Sequence, residues 1–197
     1  AAGDWGLFDN LDDAIAAAKE AKRKLDTVAV RHKAVNAIRE AARRHACALA
    51  EQAVQETGMG RVEDKVSKNL LQAELTPGPE ILQPAAISGD AGMTLIENAA
   101  WGVIASVTPS TNPAATVINN AISMVSAGNS IVFAPHPGAK RVSQTAIQLL
   151  NQAIAEATGI ANLLVALKEP TIDAARALFA HPDIALLVVT GAEAVLH

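Results

Sequence analysis

Three short polar segments hold the residue types from which a ligand site could be built. Thr108-Pro109-Ser110-Thr111-Asn112-Pro113 is a turn rich in hydroxyl and amide groups and bracketed by prolines, and Pro113 suits the first position of a helix. In Ala134-Pro135-His136-Pro137, two fixed φ angles and two missing N–H donors aim an imidazole from a stiff loop. In Thr190-Gly191-Ala192, the glycine lets a ligand approach the backbone, and free N–H groups at a following helix start favour an anion such as a pyrophosphate. The blander readings are a proline-stapled helix start for the first segment and a solvated histidine for the second.

Other chemistry finds little support. Cys47 lies in Arg43-Arg44-His45-Ala46-Cys47, where basic neighbours could lower a thiol pKa and create a nucleophile. It falls in the middle of a helical pattern, far from the three polar turns, and small cysteines are commonly buried, so it is expected to pack in the core. Gly58-Met59-Gly60 is the only GxG; it follows a helix and lacks a third glycine, so it reads as a helix stop and not a dinucleotide fingerprint. The histidines at 32, 45, 136, 181 and 197 form no HxxxH pair, and no metal site is expected.

Two patterns of elements must position these segments. Over residues 1–80 the apolar residues recur at helical spacing: Leu11 to Lys24, a longer helix from about Thr27 to Glu56 stopped by Gly58, and Arg61 to about Glu74. Over 81–100, Ala85–Ser88 and Met93–Ile96 flank a Gly-Asp-Ala-Gly turn as two short strands. From 101 to 197, four apolar runs alternate with helices: Val103–Val107, Ile131–Ala134, Leu163–Leu167 and Ile184–Val189, with Thr171 as the N-cap of the helix before the last. Strands apolar on both faces and separated by helices specify parallel βαβ units, hence an α/β chain whose N-terminal helices precede a doubly wound sheet. Ligands on such sheets bind beyond the carboxyl ends of the strands, where the three polar segments fall.

The chain has 197 residues, 50% of them hydrophobic, and alanine makes up about a fifth, as closely packed helices require. A net charge of -4 with 3% aromatics provides neither a basic footprint nor a stacking platform for nucleic acid. No apolar run approaches the ~20 residues that span a bilayer, no signal-peptide pattern opens the chain, and one cysteine makes no internal disulfide, so a cytoplasmic protein is expected.

The segments IENAAWGVIASVTPSTNPAATVINNAIS, AGNSIVFAPHPGAK, NLLV and LLVVTG, in that order, resemble the CoA-acylating aldehyde dehydrogenases of the aldehyde dehydrogenase superfamily. The resemblance is closest on the ethanolamine-utilisation branch and next on the propanediol-utilisation branch. It implies a Rossmann-like nucleotide-binding core over 101–197, ending after its fourth strand. The helices of 1–80 would belong to the same domain, and 81–100 would be the hairpin of an oligomerisation sheet. It implies oxidation of a short aldehyde, acetaldehyde before propionaldehyde, with NAD and coenzyme A, in a homo-oligomer of the bacterial cytoplasm or a microcompartment lumen. By the same resemblance Thr108, Pro109 and Ser110 line the nicotinamide side, with Thr111 or Asn112 as oxyanion donor. Ala134, Pro135, His136 and Pro137 would take the adenosine ribose, and Thr190, Gly191 and Ala192 the pyrophosphate. The resemblance places the family's catalytic cysteine in a separate domain that these 197 residues do not contain. An inactive chain is therefore expected, and a non-catalytic nucleotide- or CoA-binding or self-associating fragment is the alternative.

Overall fold

A computed structural model describes residues 4–191. The chain opens with β1 (Leu7–Phe8), and Asn10 then starts α1 (Leu11–Arg23) by accepting the N–H groups of Asp12 and Asp13 at 2.8 and 3.2 Å. Asp12 and Asp13 in the first turn and Lys22 and Arg23 in the last complement the helix dipole, while Ala14, Ile15, Ala18 and Ala21 form its buried stripe. Thr27 caps α2 (Val28–Thr57), which ends where Gly58 takes a φ of 68°. After α3 (Val62–Leu75), β2 (Ala85–Gly89) and β3 (Gly92–Ile96) form an antiparallel hairpin exposed along its whole length.

The remaining elements alternate as expected: β4 (Val103–Thr108), α4 (Pro113–Ser126), β5 (Ser130–Pro135), α5 (Lys140–Thr158), β6 (Leu164–Leu167), α6 (Ile172–Ala180) and β7 (Ile184–Val189). Strands β4 to β7, together with β1, form one parallel five-stranded sheet of order β1-β6-β5-β4-β7. The fifth strand, β1, was not expected from the sequence. Two residues give no periodicity, and it is the pairing of Leu7 with Ala166 and Phe8 with Leu167 that defines it.

Successive strand residues serve opposite faces. Ile104, Ile131, Phe133, Leu164 and Ala166 pack with α2, α4 and α5, whereas Val103, Ala105, Val132 and Val165 pack with α1 and with Leu178 of α6. The first helix is thereby separated from the second by the thickness of the sheet. The strand order runs outward from β4 to β6 and then returns to place β7 on the other side of β4, which makes the β4–β7 junction a topological switch point.

Candidate functional site

The polar turns after β4 and β5 and the start of the one after β7 meet at a single cleft of about 1120 Å³ beyond the carboxyl ends of the strands. Thr108, Pro109, Ser110, Thr111, Asn112, Ala134, Pro135, His136, Pro137, Thr190 and Gly191 all line it, whereas Ala192 lies outside the described residues. Backbone bonds tie the three turns together. The His136 N–H donates to the Thr108 carbonyl at 3.1 Å, and the Thr190 N–H donates to the Val107 carbonyl at 3.2 Å. The β4 end is thus the hub, and the other two loops are fastened to it.

Local chemistry sets each turn. Pro113 opens α4 at its first position, and the Asn112 carbonyl accepts both the N–H and the hydroxyl of Thr116, at 3.0 and 2.8 Å. His136 is exposed, and its Nδ1 accepts the Gly138 N–H at 3.0 Å, which fixes the imidazole over its own loop. Thr108 is 1% exposed, and its Oγ1 has no hydrogen-bond partner among the described residues. A buried hydroxyl left unpaired costs about 1–3 kcal/mol, which makes Thr108 a strained point in the wall of the cleft.

Several lining residues gave no signal in the sequence. Leu11 and Pro170, with Ala174, Ala175, Arg176 and Phe179 of α6, form an apolar flank on which Arg176 is the only lysine or arginine among the residues that line the cleft. They became visible only because α1 and α6 fold onto the same side of the sheet. Two lysines of α3 were also missed. Lys65 donates to the Thr111 carbonyl at 2.7 Å, and Lys68 donates to the Asn112 Oδ1 at 3.0 Å. Their i, i+3 spacing puts them on one helix face, yet nothing in the sequence says which turn that face meets.

Cys47 departs from the expected core position. It is exposed on α2, its Sγ lies 3.5 Å from Glu51 Oε1, and it is absent from the cleft. Its place on the outer side of the helix explains the difference, since Ala46, Leu49 and Ala50 occupy the buried side. The hydrogen bond to Glu51, and then that residue's charge, push the thiol up, opposite to activation. Among the described residues there is no cluster of three or more possible metal ligands, and no helix is long and apolar enough to cross a membrane.

A doubly wound parallel sheet, with a cleft at its switch point formed by strand-end turns, defines the class of open α/β domains whose ligands bind beyond the carboxyl ends of the strands. The aldehyde dehydrogenase family matches residues 8–197, and the chain belongs to that family. It is 68% identical over 194 residues to the acetylating acetaldehyde dehydrogenase of Bilophila wadsworthia, covering 98% of this chain and 40% of that protein. The CoA-propanoylating propanal dehydrogenase of Citrobacter freundii is 45% identical over 188 residues, covering 94% of this chain and 41% of that protein. Among solved structures, a propionaldehyde dehydrogenase from the Clostridium phytofermentans fucose utilisation bacterial microcompartment superposes with a TM-score of 0.94 at 43% identity, covering 98% of this chain and 46% of that one. The chain therefore spans less than half the length of these relatives.

Proposed function

We propose that the chain is the nucleotide-binding part of a CoA-acylating aldehyde dehydrogenase that converts a short aldehyde, NAD and CoA to the acyl-CoA and NADH. Acetaldehyde is favoured over propionaldehyde because the acetylating acetaldehyde dehydrogenase is the more similar relative, at 68% against 45% identity. The observation that carries the reading is the convergence of three strand-end turns on one cleft, with an unpaired, buried Thr108 hydroxyl in its wall.

The residues present fit a dinucleotide. Thr190 and Gly191 offer backbone to a pyrophosphate, the loop Ala134 to Pro137 offers a rigid seat for a ribose, and the turn Thr108 to Asn112 faces the reacting end. A bound nicotinamide supplies the hydride acceptor, and the CoA thiol takes the acyl group. What these residues do is orient the two ligands and, from Thr111 or Asn112, donate a hydrogen bond to the aldehyde oxygen as charge develops on it. The attacking thiolate comes from outside these 197 residues, because Cys47 is remote from the cleft and its thiol pKa is raised. The same reading carries a bacterial homo-oligomer assembled in part through the β2–β3 hairpin and housed in the cytoplasm or a microcompartment.

The test is a pair of measurements on the pure 197-residue chain. NADH formation from acetaldehyde, NAD and CoA is expected to be nil, and calorimetry is expected to show binding of NAD or CoA that a Gly191→Val substitution weakens. Aldehyde- and CoA-dependent NADH production by this chain alone would overturn the assignment of the nucleophile. Unchanged binding in the Gly191 variant would overturn the assignment of the cleft. The exposed hairpin favours a second reading, a self-associating fragment without ligand affinity, for which calorimetry would be flat and sedimentation concentration-dependent.

A further inference from the structure

The pair Lys65 and Lys68 is unusual in what it lacks. Lys65 is 6% exposed, and among the described residues neither lysine has a carboxylate within 4.0 Å; the neighbouring Asp64 is held by Arg61 at 2.8 Å. An ammonium taken out of water without a counter-charge is costly, and here its hydrogen-bond return is the Thr111 carbonyl. Burial, and then the neighbouring Lys68 charge, push the Lys65 amine below its ordinary value. Two like charges therefore converge, one helical turn apart, on two adjacent residues of the cleft turn.

The second contact decides the orientation of an amide. An ammonium has three donors and no acceptor, so the atom of Asn112 facing Lys68 at 3.0 Å must be its oxygen. Asn112 stands at the N-cap of α4, where an asparagine oxygen ordinarily bonds a backbone N–H of the first turn, yet it makes no such bond. With Oδ1 committed to Lys68, the Nδ2 group is left as a donor without a partner among the described residues, on a residue that lines the cleft. Thr111, in contrast, has its carbonyl pinned by Lys65, which fixes the backbone from which Asn112 projects.

We propose that Lys65 and Lys68 are positioning residues: Lys65 clamps the turn through the Thr111 carbonyl, and Lys68 holds Asn112 Oδ1 so that Nδ2 is presented to the aldehyde oxygen. This rests on the proposed function, and it selects Asn112 over Thr111 as the oxyanion donor. Neither lysine touches the reacting atoms; both act through the turn.

The test has two arms. In the 15N-labelled 197-residue chain, the Asn112 side-chain amide gives one dispersed pair of proton resonances; Lys68→Met collapses or shifts the pair, and Lys68→Arg largely restores it. In the full-length gene product, Lys68→Met lowers kcat by about tenfold to a hundredfold, the effect expected of a misplaced donor, while KM for NAD and CoA stays within about twofold. Lys68→Arg recovers most of kcat. Lys65→Met has the same signature, and if that buried substitution prevents folding, the exposed Lys68 decides alone. An undisturbed Asn112 amide in Lys68→Met, an unchanged kcat, or a loss shared equally by kcat and NAD affinity overturns the proposal. A full-length product with no acylating activity overturns the proposed function and the role of Nδ2 in it, whereas the resonance arm still judges the clamp.

Discussion

Cys47 shows how far the reading of a residue depends on its helix face. Residue type and basic neighbours suggest either a core packer or an activated thiol, and the structure makes it neither, because α2 turns Ala46 and Ala50 inward and leaves Cys47 beside Glu51. Its raised thiol pKa means less thiolate at a given pH than an unperturbed cysteine has. Labelling by a disulfide reagent is therefore expected to be slow at neutral pH and to accelerate only as pH rises past the ordinary thiol range. Glu51→Gln should bring the rate profile back toward lower pH. Cys47→Ala should leave the thermal midpoint unchanged, because an exposed side chain on a helix contributes no packing. A clear drop in that midpoint, measured by calorimetry, would return the residue to the core.

Among the elements, polar ties between helices carry more of the specification than sequence periodicity reveals. Glu56, near the end of α2, accepts the N–H groups of Arg141 and Val142 at 2.8 and 2.7 Å, and so caps α5, whose own flanking residue Ala139 provides no side-chain cap. Glu56→Ala is expected to cost about 1–2 kcal/mol in denaturant unfolding, the loss typical of an N-cap, and Glu56→Gln less. Beyond α3, Glu80 accepts the Gly78 N–H at 2.7 Å and lies 3.6 Å from the Arg39 guanidinium. Bonds from its own and the Gly78 backbone N–H, and then the Arg39 charge, hold its carboxyl below the usual carboxylate range. A depressed folded-state pKa contributes stability that is complete above the unfolded value and is lost as pH falls through the folded one. The thermal midpoint should thus decline below the ordinary carboxylate range, and less steeply in Glu80→Gln. The helices and every strand but the two-residue β1 were legible because each carries a clear apolar pattern, and the strand-end turns because a parallel sheet fixes where ligands bind. Glu56, Arg39 and Lys65 were not legible. Their partners are 85, 37 and 46 residues away, and polar spacing within a helix does not identify a distant partner.

For the whole molecule, the distribution of exposed apolar surface is the outstanding feature. The body of the sheet is covered on one face by α2, α4 and α5, yet the β2–β3 hairpin leaves Ile87, Met93, Leu95 and Ile96 at 62%, 75%, 64% and 50% exposure, and Leu187 of the edge strand β7 at 44%. A two-stranded hairpin is marginal alone in water, and unpaired strand edges with apolar side chains invite pairing with another chain. Under the proposed homo-oligomer the hairpin is therefore the surface expected to contribute to association. Sedimentation velocity on the 197-residue chain is expected to show reversible, concentration-dependent growth beyond the monomer. Replacing Met93 and Leu95 together by lysine should return the chain to a monomer without altering its circular dichroism, because neither side chain is buried in the body of the protein. If the double variant associates as strongly as the parent, the contact lies elsewhere, with the exposed edge of β7 as the next surface to substitute. A parent that remains monomeric at every concentration would remove the hairpin from the assembly.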